Sequence, residues 1–261
     1  MTEQELIALR DWFAAYVKTF YSEDADIQQH MLLKEEHTYK VMEHCRALAG
    51  ALDLDADSCR LAQAVGLLHD VGRFSQYSTY RTFVDHKSVD HAQLGLKVIE
   101  RLPELAGLPP GQQDELRFAI GNHNIMKLPE AMTDGCRLYA TLIRDADKLD
   151  IFRVLSPYLT PPSDKRYSAV FVEDLLLGRQ SSYKNIRLPE DRKLIRLSWI
   201  YDINYIWTLR QIVERRYIET IVAHLPQTPD ILAAVTCLEQ YVAVCLKEGA
   251  IHVRHNTLPA G

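Results

Sequence analysis

The segment GLLHDVGRFSQ, residues 66–76, ends an apolar run with the adjacent pair His69 and Asp70. An imidazole and a carboxylate inside a protein must each find a partner, and a carboxylate that finds none takes up a proton instead. Other groups of the same two types recur along the chain. They are His37 in EEHTYKVMEHCRALAG, His91 in SVDHAQLG, His123 in AIGNHNIMKLP and an aspartate in LIRDADKLDIF. His37 shares a helical face with Leu33, Val41, His44, Leu48 and Leu52 at spacings of three and four, so it is expected to point inward.

Metal binding is the chemistry that such a set supports. Neutral imidazoles and ionised carboxylates can be buried together when a cation supplies the compensating charge. Histidine and aspartate without thiolates suit iron, manganese, zinc or cobalt, with magnesium as a further divalent candidate, rather than a closed structural zinc site. Six donors exceed what one ion usually takes from protein. Asp70, with two oxygens, is placed to bridge two ions that share one water or hydroxide as nucleophile.

Each residue also has a plain structural reading. His37 alone would be a core histidine bonded to a backbone carbonyl, and His69-Asp70 a helix terminus where His⁺ meets the dipole. His91 would be a first-turn residue beneath Ser88, and His123 a C-terminal-turn histidine. Their ordered recurrence favours the metal reading. In LIRDADKLDIF the apolar stripe of Leu138, Leu142, Ala146, Leu149 and Phe152 places Asp145 nearer that face than Asp147, because helical residues advance by about 100° each. His86 reads as a bystander or a substrate-side donor and His44 as core. His30, His224, His252 and His255 have no supporting context.

The elements that must position these groups are helical. Apolar periodicity predicts helices near residues 3–21, 28–52, 56–70, 89–105, 111–124, 136–154, 190–224 (broken) and 229–247, and alternation of the strand type is hardly visible. Gly72 reads as the stop after the third helix, Ser88 as the cap of the fourth, and Pro109-Pro110 as the entry to the fifth. Residues 156–190 form one long irregular stretch, a length typical of lids and linkers. Its cations Lys165, Arg166, Arg179 and Lys184 read as a solvated surface. The expected organisation is a helical metal-binding domain over 1–155 and, over 156–261, this loop with a C-terminal helical extension. The extension reads as packing material, with a homo-oligomer contact as the alternative.

The chain has 261 residues, enough for an ample core, and a mild formal charge of −5. Lysine and arginine are scattered among acids, which argues against a duplex nucleic-acid surface. The five cysteines, Cys45, Cys59, Cys136, Cys237 and Cys245, are an odd set without C-x-x-C spacing and read as buried hydrophobes in a reduced compartment. No basic n-region opens the chain, and no stretch holds the roughly 18 uninterrupted apolar residues of a membrane span. A soluble cytoplasmic protein is expected.

The ordered set H…HD…H…H…D resembles the HD-domain superfamily of metal-dependent phosphohydrolases, in the branches that add two histidines for a second ion. The resemblance covers about residues 28–155. It implies an all-α HD-type bundle, two divalent ions, and the ligands His37, His69, Asp70, His91, His123 and Asp147; the family pattern thus selects Asp147 and leaves Asp145 to support it. Arg73 falls where HDxGK subfamilies carry lysine, and Lys148 in DADKLD resembles the phosphate-contacting lysine of DxDKWD. By resemblance, Asp70, Arg73 and Lys148 are the catalytic candidates, the last two also binding a small phosphorylated substrate or nucleotide. NHNIMKLPEA stands where a GYP motif would follow His123, so activity on cyclic di-GMP is not implied, and the alarmone-hydrolase pattern is incomplete. The expected function is hydrolysis of a phosphomonoester or nucleotide by a metal-activated water. Diiron oxygenases of the same superfamily share the six ligands and form the alternative. A non-catalytic nucleotide-binding regulatory module is the third reading.

Overall fold

The first three helices begin where short polar side chains cap them. In the computed structural model, which describes residues 1–162 and 166–251, α1 (Glu3–Lys18) starts at Thr2 with a reciprocal capping box to Glu5, and α2 (Ala25–Ala51) starts at Asp24, whose carboxylate accepts from the nitrogens of Asp26 and Ile27. Asp55 caps α3 (Ala56–Leu68) in the same way. There is no strand among the described residues, and the fold is all-α as expected.

The chain forms two compact units, Met1–Asp150 and Ile151–Gly261. In the first, α1 buries Leu6, Leu9, Phe13 and Val17, one face at spacings of three and four. Phe13 meets Phe74 edge to face, with ring centres 5.8 Å apart. Helix α2 lies along α3, and Gly66 permits the close approach: a Cβ there would stand 2.9 Å from both the Met42 Cα and the Cys45 Sγ. That contact brings the His37 turn of α2 beside the end of α3.

The third predicted helix does not stop at Gly72. It breaks at His69-Asp70 and restarts as α4 (Val71–Tyr80), with Gly72 buried inside the new helix. Glycine is required there for packing, since α4 crosses α5 (His91–Ile99) so closely that a Cβ on Gly72 would lie 2.2 Å from the His91 carbonyl oxygen. The cap of α5 is Asp90, whose carboxylate accepts from the nitrogens of Ala92 and Gln93; Ser88, expected as the cap, instead takes a bond from Gln76 and donates to the Val84 carbonyl. The expected 89–105 helix is two pieces, α5 and the short α6 (Pro103–Ala106), because Pro103 restarts the chain. Helices α7 (Pro110–Asn122) and α8 (Asp134–Leu155) follow, α8 running across the boundary between the units.

In the second unit the irregular stretch contains α9 (Ala169–Leu176), whose buried Phe171, Val172 and Leu175 pack in that unit's core. The broken 190–224 segment comprises α10 (Asp191–Ser198), α11 (Ile206–Glu214) and α12 (Tyr217–Val222). Asp191 is fully buried and accepts from the backbone nitrogens of Ser168, Arg187 and Leu188 and from the Ser168 hydroxyl. Helix α13 (Pro229–Glu248) ends at Gly249 in the left-handed conformation. By length and composition α13 suffices to cross a membrane, with a mean hydropathy of 1.4 in its best 18-residue window, although Thr236, Glu239 and Gln240 interrupt the run. Its Ile231, Ala234, Val235, Leu238, Tyr241, Val242 and Cys245 are buried, the one-sided pattern of a helix packed in a core.

Candidate metal centre

Helix ends build the site. His69 is the last residue of the α3 terminus, and Asp70 is the hinge between α3 and α4, with φ −109° and ψ 15°. Such bridge-region backbone is common at functional residues. His91 opens α5, His123 closes α7, and Asp147 and Asp150 share a face of α8 at a spacing of three. His37 projects from the middle of α2. His37, His69, Asp70, His91 and His123 are all buried.

The protonation of the four imidazoles follows from their outer bonds. His69 Nδ1 lies 2.8 Å from the Gly66 carbonyl oxygen and His123 Nδ1 2.7 Å from that of Ile120; a carbonyl only accepts, so both Nδ1 atoms carry the proton. His37 Nδ1 donates to Asp150 Oδ2 at 2.7 Å, and His91 Nδ1 to Asp85 Oδ2 at 2.7 Å. With every Nδ1 anchored outward, the four Nε2 atoms face inward. This is the arrangement by which carboxylates and carbonyls orient metal-binding histidines.

The inward atoms fall into overlapping groups in which one donor atom from each residue lies within 4.8 Å of the others: His37, His69 and Asp70; His69, His123 and Asp147; and Asp70, His91 and His123. Asp147 Oδ1 is 3.1 Å from His37 Nε2 and 3.6 Å from His69 Nε2. Asp70 divides its oxygens: Oδ2 faces His37 and His69 at 3.7 and 3.6 Å, and Oδ1 faces His91 and His123 at 3.4 and 3.7 Å. A fourth group, Asp85, Asp90 and His91, uses the outer nitrogen side of His91.

These residues fit a divalent cation on three grounds. His37 Nε2 and His69 Nε2 are buried without a hydrogen-bond partner, a costly state for an imidazole unless a ligand takes the lone pair. His91 Nε2 and His123 Nε2 stand 3.0 Å apart with lone pairs opposed. Two nitrogens held at about 2.1 Å from a common ion at a right angle lie about 3.0 Å apart, so the spacing matches shared coordination. The donor set of imidazole and carboxylate is that of a transition-metal ion.

Electrostatics agree. Burial raises the Asp70 carboxyl, but Lys34, His69 and Arg73 outweigh it and hold the group well below the usual carboxylate range. Burial likewise raises Asp147, and the adjacent His37 and His69 imidazoles outweigh it and bring the carboxyl well below that range. His91 is pushed down to about 4 by burial, against the pull of Asp85, which keeps its Nε2 unprotonated at neutral pH. Burial and then the Lys34 ammonium lower His37, but Asp147 and Asp150 together outweigh them and raise it above the ordinary histidine value, so without a cation its proton is favoured. A cation placed between these carboxylates and imidazoles would take over that role.

Of the residues expected from sequence, His37, His69, Asp70, His91, His123 and Asp147 come together. Asp145 is fully buried, and Lys148 is buried next to Asp147 in sequence. Arg73, expected to contact phosphate, is already engaged: Nε donates to Asp70 Oδ1, and Nη1 to Gln76 Oε1, the Phe83 carbonyl and Asp85 Oδ1. His86 is exposed in a short turn, His30 stacks on the Tyr77 ring with centres 4.1 Å apart, and buried His44 lies 3.9 Å from Asp150. Arg179 pairs with Asp174, and His224 bonds to the Thr220 carbonyl. Lys165, His252 and His255 lie outside the described residues. Sequence reasoning missed Asp150, Asp85, Gln76 and Lys34. Asp150 had a signal in its helical spacing from Asp147, whereas Asp85 is joined to His91 only by the turn at Asp85–Lys87.

The described fold is all-α, and its helix ends bring histidines and aspartates into groups compatible with a metal site. Residues 35–151 match the family model of the HD domain. Comparisons with curated proteins and with solved structures give no match.

Proposed function

We propose that this chain is a metal-dependent phosphohydrolase acting on a phosphomonoester or a nucleotide. The match of residues 35–151 to the HD-domain model supports this reading, since that family is mostly metal-dependent phosphohydrolases. The observation that carries the reading is the outward anchoring of four Nδ1 atoms, which leaves four Nε2 atoms and two aspartates aimed at one small volume.

His37, His69, Asp70, His91, His123 and Asp147 would hold the divalent ions, with Asp70 standing between the His37–His69 and His91–His123 sides of the set. Bound divalent ions polarise a phosphoryl oxygen and lower the pKa of water from 15.7 to about 7. Arg73 keeps Asp70 Oδ1 oriented and ties it to the Phe83–Asp85 segment, and its charge favours the anionic transition state. Lys148, which follows Asp147 in the chain, is assigned as a second phosphate-contacting cation by its resemblance to the lysine of DxDKWD. Asp150 and Asp85 fix the tautomers of His37 and His91.

The test is release of phosphate from a panel of phosphomonoesters and nucleotides by manganese-loaded protein, with His69→Ala and Asp70→Asn as controls. Turnover that falls by at least about a hundredfold in both controls is expected. Iron-dependent oxygen consumption on an organic substrate without phosphate release would replace this reading with the oxygenase one. Thermal stabilisation by a nucleotide without product would favour a binding module.

A further inference from the structure

Lys34 lies one turn before His37 on α2, with its side chain 15% exposed. Its Nζ is 2.6 Å from Asp70 Oδ2 and 5.3 Å from the centre of the Phe83 ring. Asp70 Oδ2 is the oxygen that faces His37 and His69. The ammonium therefore stands at the atom that completes the His37, His69 and Asp70 group. The other oxygen, Oδ1, has a different cation: Arg73, whose guanidinium is fixed by Gln76, Phe83 and Asp85. One oxygen of the hinge carboxylate is thus held by a rigid fork, and the other by a flexible four-carbon stem.

We propose that Lys34 is a tethered cation that competes with the first metal ion for Asp70 Oδ2. Without metal, it satisfies the buried Oδ2, the oxygen that Arg73 does not reach. When a divalent ion enters between His37, His69 and Asp70, a second positive charge at contact distance is repelled, and the lysine swings off the oxygen. The competition sets a loading threshold. Magnesium, which gives up water reluctantly and has little preference for imidazole, falls below it, and ions that bind imidazole well pass it. The inference rests on the metal reading of the site and extends it to how the site chooses its ion.

The experiment is calorimetric titration of the metal-stripped full chain with manganese(II), for the parent, Lys34→Met, Lys34→Gln and His69→Ala. Lys34→Met keeps the stem volume without the charge, and Lys34→Gln serves if the methionine variant folds poorly. The expected result is first-site binding at least about tenfold tighter in the Lys34 variants, the coupling typical of a close buried charge pair. Their metal-free melting temperature should be lower and restored by manganese, and magnesium binding should become measurable. Unchanged or weaker manganese affinity in both Lys34 variants, with binding lost in His69→Ala, would overturn the competition while leaving the metal site standing. Absence of binding in the parent and in every variant would overturn the site itself, and the competition with it.

Discussion

Replacing Gly72 by alanine would set a Cβ 2.2 Å from the His91 carbonyl oxygen and 2.7 Å from the Gly95 nitrogen. Ordinary contact begins at 3.4 Å. The obstacles are backbone atoms, so no side-chain rotation relieves them, and α4 and α5 must separate by about 1 Å in a packed core. Overpacking of this kind costs roughly 1–3 kcal/mol, and the backbone contacts place Gly72→Ala at the upper end, about 3 kcal/mol or a factor of about a hundred in the folding constant. The separation also drags His91 from its place opposite His123. Gly50→Ala is the matched control. Gly50 lies in the last turn of α2 with nothing within 4 Å of an added Cβ, so alanine there should gain about 0.5–1 kcal/mol from helix propensity. Denaturant unfolding of both variants, followed by metal analysis of the folded protein, gives the readout. A Gly72→Ala protein within about 0.5 kcal/mol of the parent and with unchanged metal content would refute the close-crossing argument.

Asp85→Ala removes the acceptor that fixes the His91 tautomer and should weaken binding of one of two metal ions about 10- to 100-fold by titration, leaving the other unchanged. In the second unit, Asp191→Ala strands the backbone nitrogens of Ser168, Arg187 and Leu188 and should cost about 2–4 kcal/mol in urea unfolding at neutral pH. The same carboxyl gives a pH signature. Burial raises it, but those three nitrogens and the Ser168 hydroxyl outweigh burial and hold it below the ordinary range. Its stabilisation is therefore complete above the unfolded value near 3.9 and is lost as pH falls through the lower folded value, so Asp191→Asn should flatten the acid limb of stability below about pH 4. Adding manganese at about 100 times its dissociation constant should stabilise the chelator-treated protein by about 2.7 kcal/mol, read as a rise in melting temperature that His69→Ala abolishes.

The helices were legible in the sequence wherever an apolar stripe of period 3.6 ran beyond two turns, as in α2, α7 and α13. The misreadings cluster around Gly72. A glycine just past an apolar run has the local signature of a helix stop, and the pressure that actually places it there comes from α5, some 20 residues later in the chain. Ser88 failed as a cap for a related reason: its hydroxyl is taken by Gln76, a fully buried side chain that also binds Asp85 and the Val89 carbonyl. The six candidate ligands were legible as an ordered set of residue types, and the fold brings them together. Face counting favoured Asp145 over Asp147, since the stripe marks the core and the site lies at its edge. What the sequence could not display is the outer layer, Asp85, Asp150 and Lys34, whose contacts depend on how separate helices meet.

The central claim is that these six residues hold metal. Elemental analysis of protein purified without chelator or histidine tag tests it most directly, beside His69→Ala, His91→Ala and His123→Ala. The account predicts two transition-metal ions per chain in the parent, falling toward one in His91→Ala and His123→Ala and further in His69→Ala. A parent without metal above background, or a content that none of the three substitutions changes, would contradict it.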